Sequence, residues 1–214
     1  MLEVGIGSGI LSIILLRQSK VDHVTGTDIN PYAIASARDN MQRLGLEHRV
    51  LLLHANVFPP IPPPPPPPSS TNIGVTGYDI VLFNPPWLPG DASTHLDKAV
   101  YDPNQTVLRR FLCHVQHYVR EDGYVYMLLS NLGMSLGLFR EQELYAMFDE
   151  GNLELVEMFH YPPTKESAEK SGNTVSKVRW RTSVANNSMS FDGIASARAR
   201  EVISLYKLRV KRSC

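Results

Sequence analysis

Hydrophobic residues in the first half of the chain fall into short runs that stop at polar or glycine punctuation, with helix-spaced segments between them. Leu2-Glu3-Val4 closes a strand that enters Gly5-Ile6-Gly7-Ser8-Gly9, and residues 10–18 form an apolar helix just behind that turn. Val24 to Thr27 is a second strand, closed by Asp28. Asn30 can cap the next helix, Pro31 suits its first turn and Gly45 its exit, while Ile34, Ala37, Met41 and Leu44 share one face. Residues 50–54 and 79–83 read as a third and a fourth strand. Alternating strand and helix signals of this kind predict a βαβ chain with a mainly parallel sheet.

The second half continues the pattern less regularly. Asp102-Pro103-Asn104-Gln105 has the form of a capping box with proline at the first helical position. Behind it Val107, Leu108, Phe111, Leu112, Val115, Tyr118 and Val119 keep helical period. A turn at Asp122-Gly123 precedes a fifth strand at 124–129. A helix follows at 138–148, a sixth strand at 153–159 and a last strand at 202–208. Two stretches stand apart. Residues 59–68 hold nine of the sixteen prolines, so 59–72 reads as an extended polyproline insertion where a crossover helix would sit. Residues 162–196, rich in Ser, Asn, Lys and Arg, read as a long mobile connection. The whole, 1–214, is expected to be one domain. Because it opens inside its first strand, an upstream segment is expected to be missing.

Composition narrows the possibilities. With 43% hydrophobic and 20% charged residues the chain is of ordinary globular type. No apolar run approaches the roughly 18 residues of a membrane helix, so no membrane role is expected. The two cysteines, Cys113 and Cys214, form neither a disulfide framework nor a zinc motif, which points to a reducing, cytoplasmic compartment. The net charge of zero hides an asymmetry: residues 1–164 carry 10 Lys/Arg against 17 Asp/Glu, and residues 165–214 carry 11 against 4. A basic C-terminal part attracts phosphate-rich partners such as RNA, or pairs with the acidic body. His114 and His117 share a helix face without further metal-ligand types, so no metal site is expected.

The chemistry-bearing residues collect at strand ends. Glycines at 5, 7 and 9 let a ligand approach the backbone, and Ile10 stands where a dinucleotide fingerprint needs its third glycine. A dehydrogenase is therefore disfavoured. Asp28, at the end of the second strand, can accept hydrogen bonds from both hydroxyls of a ribose. Asn56 can bond an adenine edge and Val57 can cover its face. Asn84-Pro85-Pro86-Trp87 ends the fourth strand, in the crevice where open α/β sheets bind ligands.

These residues carry a resemblance. LEVGIGSG (2–9), GTDINPYAI (26–34), HANVF (54–58) and DIVLFNPPW (79–87) resemble the class I S-adenosylmethionine-dependent methyltransferases of the methyltransferase small domain type. The resemblance extends to release-factor glutamine and N6-adenine methyltransferases. It implies a Rossmann-like seven-stranded, mostly parallel sheet in the order 3-2-1-4-5-7-6, the last strand antiparallel, with helices on both faces. It implies S-adenosyl-L-methionine as cofactor, bound by Glu3, Gly5, Gly7, Gly9, Asp28, Ile29, Asn56, Val57 and Asn84. Asn56 stands where the family usually has aspartate. Catalysis would fall to Asn84, Pro85 and Trp87: the Asn84 oxygen and Pro85 carbonyl accept from a planar NH₂, and Trp87 stacks on it. The acceptor would be a protein glutamine amide or a nucleobase amine. The alternative is a non-catalytic methyltransferase-like subunit supporting a partner. Oligomeric state is left open.

Overall fold

The computed structural model describes residues 1–59, 77–86, 101–161 and 200–211. Trp87, nearly all of the expected polyproline insertion and the 162–196 connection lie outside the described residues. Seven strands, β1 (Leu2–Val4), β2 (Val24–Asp28), β3 (Val50–His54), β4 (Tyr78–Phe83), β5 (Val119–Ser130), β6 (Leu153–Tyr161) and β7 (Ile203–Val210), form one sheet in the order 3-2-1-4-5-7-6. β1 to β5 pair in parallel, and β7 runs antiparallel to both β5 and β6. The expected topology is therefore the observed one.

Strand burial explains the layering. All three residues of β1 and Val81, Leu82 and Phe83 of β4 are buried, so their alternating side chains meet cover on both faces of the sheet. That cover comes from α1 (Ile10–Gln18), α2 (Pro31–Arg43), α3 (Thr106–His114), the short α4 (Leu132–Ser135) and α5 (Glu141–Glu150). The larger core joins Val81, Phe83, Val125, Met127 and Leu208 of the sheet to Phe111, Leu112, Leu144 and Met147 of the helices. A second joins Ile13 and Leu16 of α1 to Val24 and Met41. As expected, the Asn30 side chain caps α2, accepting from the Tyr32 N–H at 3.0 Å.

Three expected boundaries shift for identifiable reasons. Asn104 and Gln105 adopt left-handed φ values of 55° and 58°, so α3 begins only at Thr106. Asp102 still caps it, from further away: its two carboxylate oxygens accept the Val107 and Leu108 N–H groups, each at 2.9 Å. The Asp122-Gly123 turn lies inside β5 as an irregularity, with Tyr78 opposite Val119 but Ile80 opposite Tyr124. Val119 thus starts a strand and is not the last residue of a helix. Gly137, at φ 68°, separates α4 from the later helix and delays α5 to Glu141.

The basic strand β7 is neutralised by the body it joins. Lys207 lies 3.8 Å from Glu157 and 4.4 Å from the centroid of the Tyr124 ring, Arg209 pairs with Glu154, and Lys211 reaches Asp149 at 2.7 Å. Among the described residues, no three metal-ligating side chains gather and no helix is long and apolar enough to cross a membrane.

Candidate active site

Strand register brings the predicted residues to one edge. Val4 is level with Thr27 on one side and Phe83 on the other, and Asp28 is level with His54. One step further along each strand, Asn84, Gly5, Asp28 and His54 form a row across β4, β1, β2 and β3. Neighbouring strands lie about 4.8 Å apart, so roughly 10 Å separates Asn84 from Asp28.

The turn leaving β1 sits at the centre of this row. Gly5, Gly7 and Gly9 have φ values of 67°, 56° and 82°, a region that strains any side-chain-bearing residue. At Gly9 packing adds a second constraint, because a Cβ would come within 2.8 Å of Met41. At Gly7 a Cβ would meet nothing within 4 Å, so this stretch of backbone faces open space. The turn is tied down by the Ile6 N–H donating to the Thr27 carbonyl and the Gly9 N–H donating to the Ile6 carbonyl, both at 2.9 Å.

Asp28 organises the turn as well as facing the edge. Its Oδ2 accepts the Gly7 N–H at 2.9 Å and its Oδ1 accepts the Asn30 N–H at 2.8 Å. Each carboxylate oxygen keeps a second lone pair, which leaves capacity for a diol. Beside it Ile29 leaves 38% of its surface exposed, an apolar wall at the edge. His54 Nε2 lies 2.9 Å from the Ile29 carbonyl. A carbonyl only accepts, so Nε2 carries the proton of that bond.

Glu3 is set deeper. It is buried beneath the glycine turn, where the Ser12 hydroxyl donates to its carboxylate. Burial pushes the Glu3 carboxyl up to about 7; the Ser12 hydrogen bonds oppose the shift and the nearby Asp28 charge adds to it.

The exit of β3 is the most strained part of the site. Asn56 is exposed, while Val57 is 7% exposed, packs into the larger core and has φ 70°. A β-branched residue at positive φ is a genuine outlier, costing on the order of 1–3 kcal/mol. The Phe58 N–H donates to the Asn56 carbonyl at 3.1 Å, closing a three-residue γ-turn around Val57. The Thr27 hydroxyl, fully buried, donates to the Val57 carbonyl at 2.7 Å. Beyond the turn Phe58 stacks on Tyr118 with centroids 4.2 Å apart, and the Tyr118 hydroxyl donates to the Pro59 carbonyl at 3.1 Å. Burial leaves little of Val57 to cover a base, whereas Asn56 and Ile29 both present surface.

On the other side of the glycine turn Asn84 is exposed and Pro85 is buried. The structure therefore brings Gly5, Gly7, Asp28, Ile29, Asn56 and Asn84 to one edge and places Glu3 and Val57 inside it. Ser12 and Thr27 were given no role from the sequence, and His54 was read only as part of the 54–58 motif. The signal for Ser12 was a lone small hydroxyl within the apolar start of α1, whereas β2, Val-Thr-Gly-Thr-Asp, sets Thr27 apart in no such way.

An open α/β sheet with a glycine turn, an acid on β2 and an Asn-Pro-Pro exit from β4 has the form of a Rossmann-like nucleotide-binding domain. The chain belongs to the methyltransferase small domain family, whose model matches residues 1–139; S-adenosyl-L-methionine is that family's methyl donor. It is 28% identical over 138 residues to a Methanocaldococcus jannaschii chain assigned as a protein N5-glutamine methyltransferase, covering 61% of each. It is 30% identical over 100 residues to the release factor glutamine methyltransferase of Caulobacter vibrioides, covering 47% of this chain and 30% of that one. A ribosomal protein uL3 glutamine methyltransferase of Burkholderia pseudomallei is 23% identical over 140 residues, 61% of this chain and 44% of its own. The chain thus spans less than two thirds of the length of these relatives.

Among solved structures, a Galdieria sulphuraria chain assigned as a sarcosine dimethylglycine methyltransferase superposes with a TM-score of 0.64 at 11% identity, covering 100% of this chain and 78% of that one. The [4+2]-cyclase SpnF gives 0.61 at 13%, covering 99% and 75%. Likeness at these identities establishes the fold alone, and the cyclase shows that this fold hosts more than one chemistry.

Proposed function

We propose that this chain is a methyltransferase that uses S-adenosyl-L-methionine to methylate the side-chain amide nitrogen of a protein glutamine. The observation that carries the reading is the single row of Asn84, Gly5, Asp28 and His54 at the carboxyl edge of the sheet. It sets an Asn-Pro-Pro acceptor loop immediately beside the cofactor turn. The names of the three relatives, all glutamine methyltransferases, support the acceptor.

The residues present fit the cofactor. Gly7 borders open space, Asp28 retains two acceptor sites for ribose hydroxyls, Ile29 offers an apolar wall and Asn56 an exposed amide for the adenine edge. Glu3, beneath the turn, would favour a cationic methionine group, and Gly5 and Gly9 would shape its backbone cradle. Val57 would act from behind the base. The cofactor supplies an electrophilic sulfonium methyl.

The protein's task is to aim a poor nucleophile. An amide nitrogen shares its lone pair with its carbonyl. Acceptors on its two hydrogens favour a geometry in which that pair turns toward the methyl, and they bind more strongly as positive charge builds on nitrogen. The Asn84 side-chain oxygen and the Pro85 carbonyl would take this role, and proline's fixed φ would hold its carbonyl with little entropy to lose. Trp87 would stack on the amide plane. Asn84 and the Pro85 carbonyl would hold the amide nitrogen in line with the donor methyl, and the methylated nitrogen would release its extra proton to solvent. In-line positioning supplies much of the rate.

Asn84→Ala tests the assignment. We expect turnover to fall about 10²- to 10³-fold, the scale of losing one transition-state hydrogen bond. Cofactor affinity, read by calorimetry, should change less than about threefold, since Asp28 and Asn56 remain. An equal fall in both would reject the role given to Asn84.

A further inference from the structure

The strained turn at the exit of β3 serves the adenine end of the proposed site. Val57 could relax to negative φ if its carbonyl and its neighbours were not held, yet four contacts converge on this short segment. The Ala55 N–H donates to the Asp28 carbonyl at 3.0 Å, the Phe58 N–H to the Asn56 carbonyl at 3.1 Å and the Thr27 hydroxyl to the Val57 carbonyl at 2.7 Å. The Val57 side chain itself is locked in the core. Of these, only the Thr27 bond spends a fully buried side-chain hydroxyl on holding a positive-φ residue. Strain maintained by such a dedicated contact marks a conformation that matters for function. The one exposed polar side chain that this conformation aims is Asn56.

We infer that Thr27 is a positioning residue for cofactor recognition: its hydroxyl holds the Val57 turn so that the Asn56 amide faces the purine edge. The inference rests on the proposed cofactor reading. Thr27 touches no ligand itself. It acts through the Val57 carbonyl, and the residue it serves is a neutral amide with both donors and an acceptor. Such an amide recognises adenine only when its orientation is set, because a turned amide presents the wrong atoms.

The experiment is a mutant cycle read as the Kd of S-adenosylhomocysteine by calorimetry, on wild type, T27V, N56A and T27V/N56A. Thr27→Val keeps the shape and removes the donor. We expect T27V to bind about fivefold more weakly, the scale of one lost hydrogen bond. Thr27→Ser should stay within about twofold of wild type because it keeps the hydroxyl. The double variant should bind no worse than N56A by more than about twofold, since Thr27 acts through Asn56. A merely structural Thr27 would give additive losses, and additivity overturns the inference. Wild-type affinity in T27V overturns it too. If T27V does not fold, Thr27→Cys, a weaker donor of similar size, takes its place, and wild-type affinity there is equally fatal. Failure of the wild type itself to bind would overturn the cofactor reading and this inference together.

Discussion

At Glu3 the chain carries a carboxylate on a three-residue strand, and the fold buries it against the Ser12 hydroxyl, so its charge depends on pH in the neutral range. The carboxyl titrates at about 7 in the folded protein against an ordinary value of 4.5, with burial as the main cause. Between these values the folded state holds a proton that the unfolded chain has released. Stability therefore falls as pH rises from about 4.5 to 7, by on the order of 3 kcal/mol, and this contribution is flat above. Glu3→Gln should flatten that part of the profile in denaturant titrations across the window. An unchanged slope would show that Glu3 does not ionise there. The identity of Glu3 was legible in the sequence and its depth was not, because burial is decided by α1 packing over β1. Val57 shows the same limit. Its place after β3 could be read, but its positive φ sits among long-range contacts, including the Thr27 bond across 30 positions of chain.

Among the elements, those built on local rules were the most legible. The α2 cap at Asn30 and its proline start follow from neighbouring residues alone. The delayed start of α3 does not, since Asn104 and Gln105 turn left-handed to let Asp102 reach Val107 and Leu108. The irregularity in β5 depends on β4, where Gly123 packs so closely that a Cβ would press the Tyr78 and Asp79 carbonyls at 2.9 Å. β2 couples to the site in the same way. A Cβ at Gly26 would overlap Ile6, the residue between the first two glycines of the turn, whose own N–H is bonded to Thr27. Gly26→Ala should cost about 1–3 kcal/mol in overpacking. It should also weaken cofactor binding, because relief requires Ile6 and the turn to move. Thermal unfolding and calorimetry on the same variant check both, and a stability loss with unchanged affinity would uncouple Gly26 from the site.

For the whole molecule, the sheet order converts four separate sequence motifs into one edge. Parallel strands joined by helices all end on the same side, so the exits of β1, β2, β3 and β4 face one crevice. That much was readable from the alternation of strand and helix signals. Which acids the described basic residues Lys207, Arg209 and Lys211 would meet was not, because their partners on β6 and α5 come within reach only once β7 inserts between β5 and β6. Whether this edge methylates a protein glutamine is decided by a methyl-transfer assay. The protein would be incubated with S-adenosylmethionine labelled in its methyl group, together with intact release factors, ribosomal proteins and total RNA. Label is expected in protein, released by acid hydrolysis as methylamine, as an N-methylated glutamine amide requires, and it should be lost with Asn84→Ala. Label confined to RNA, or none in any acceptor despite confirmed cofactor binding, would contradict it.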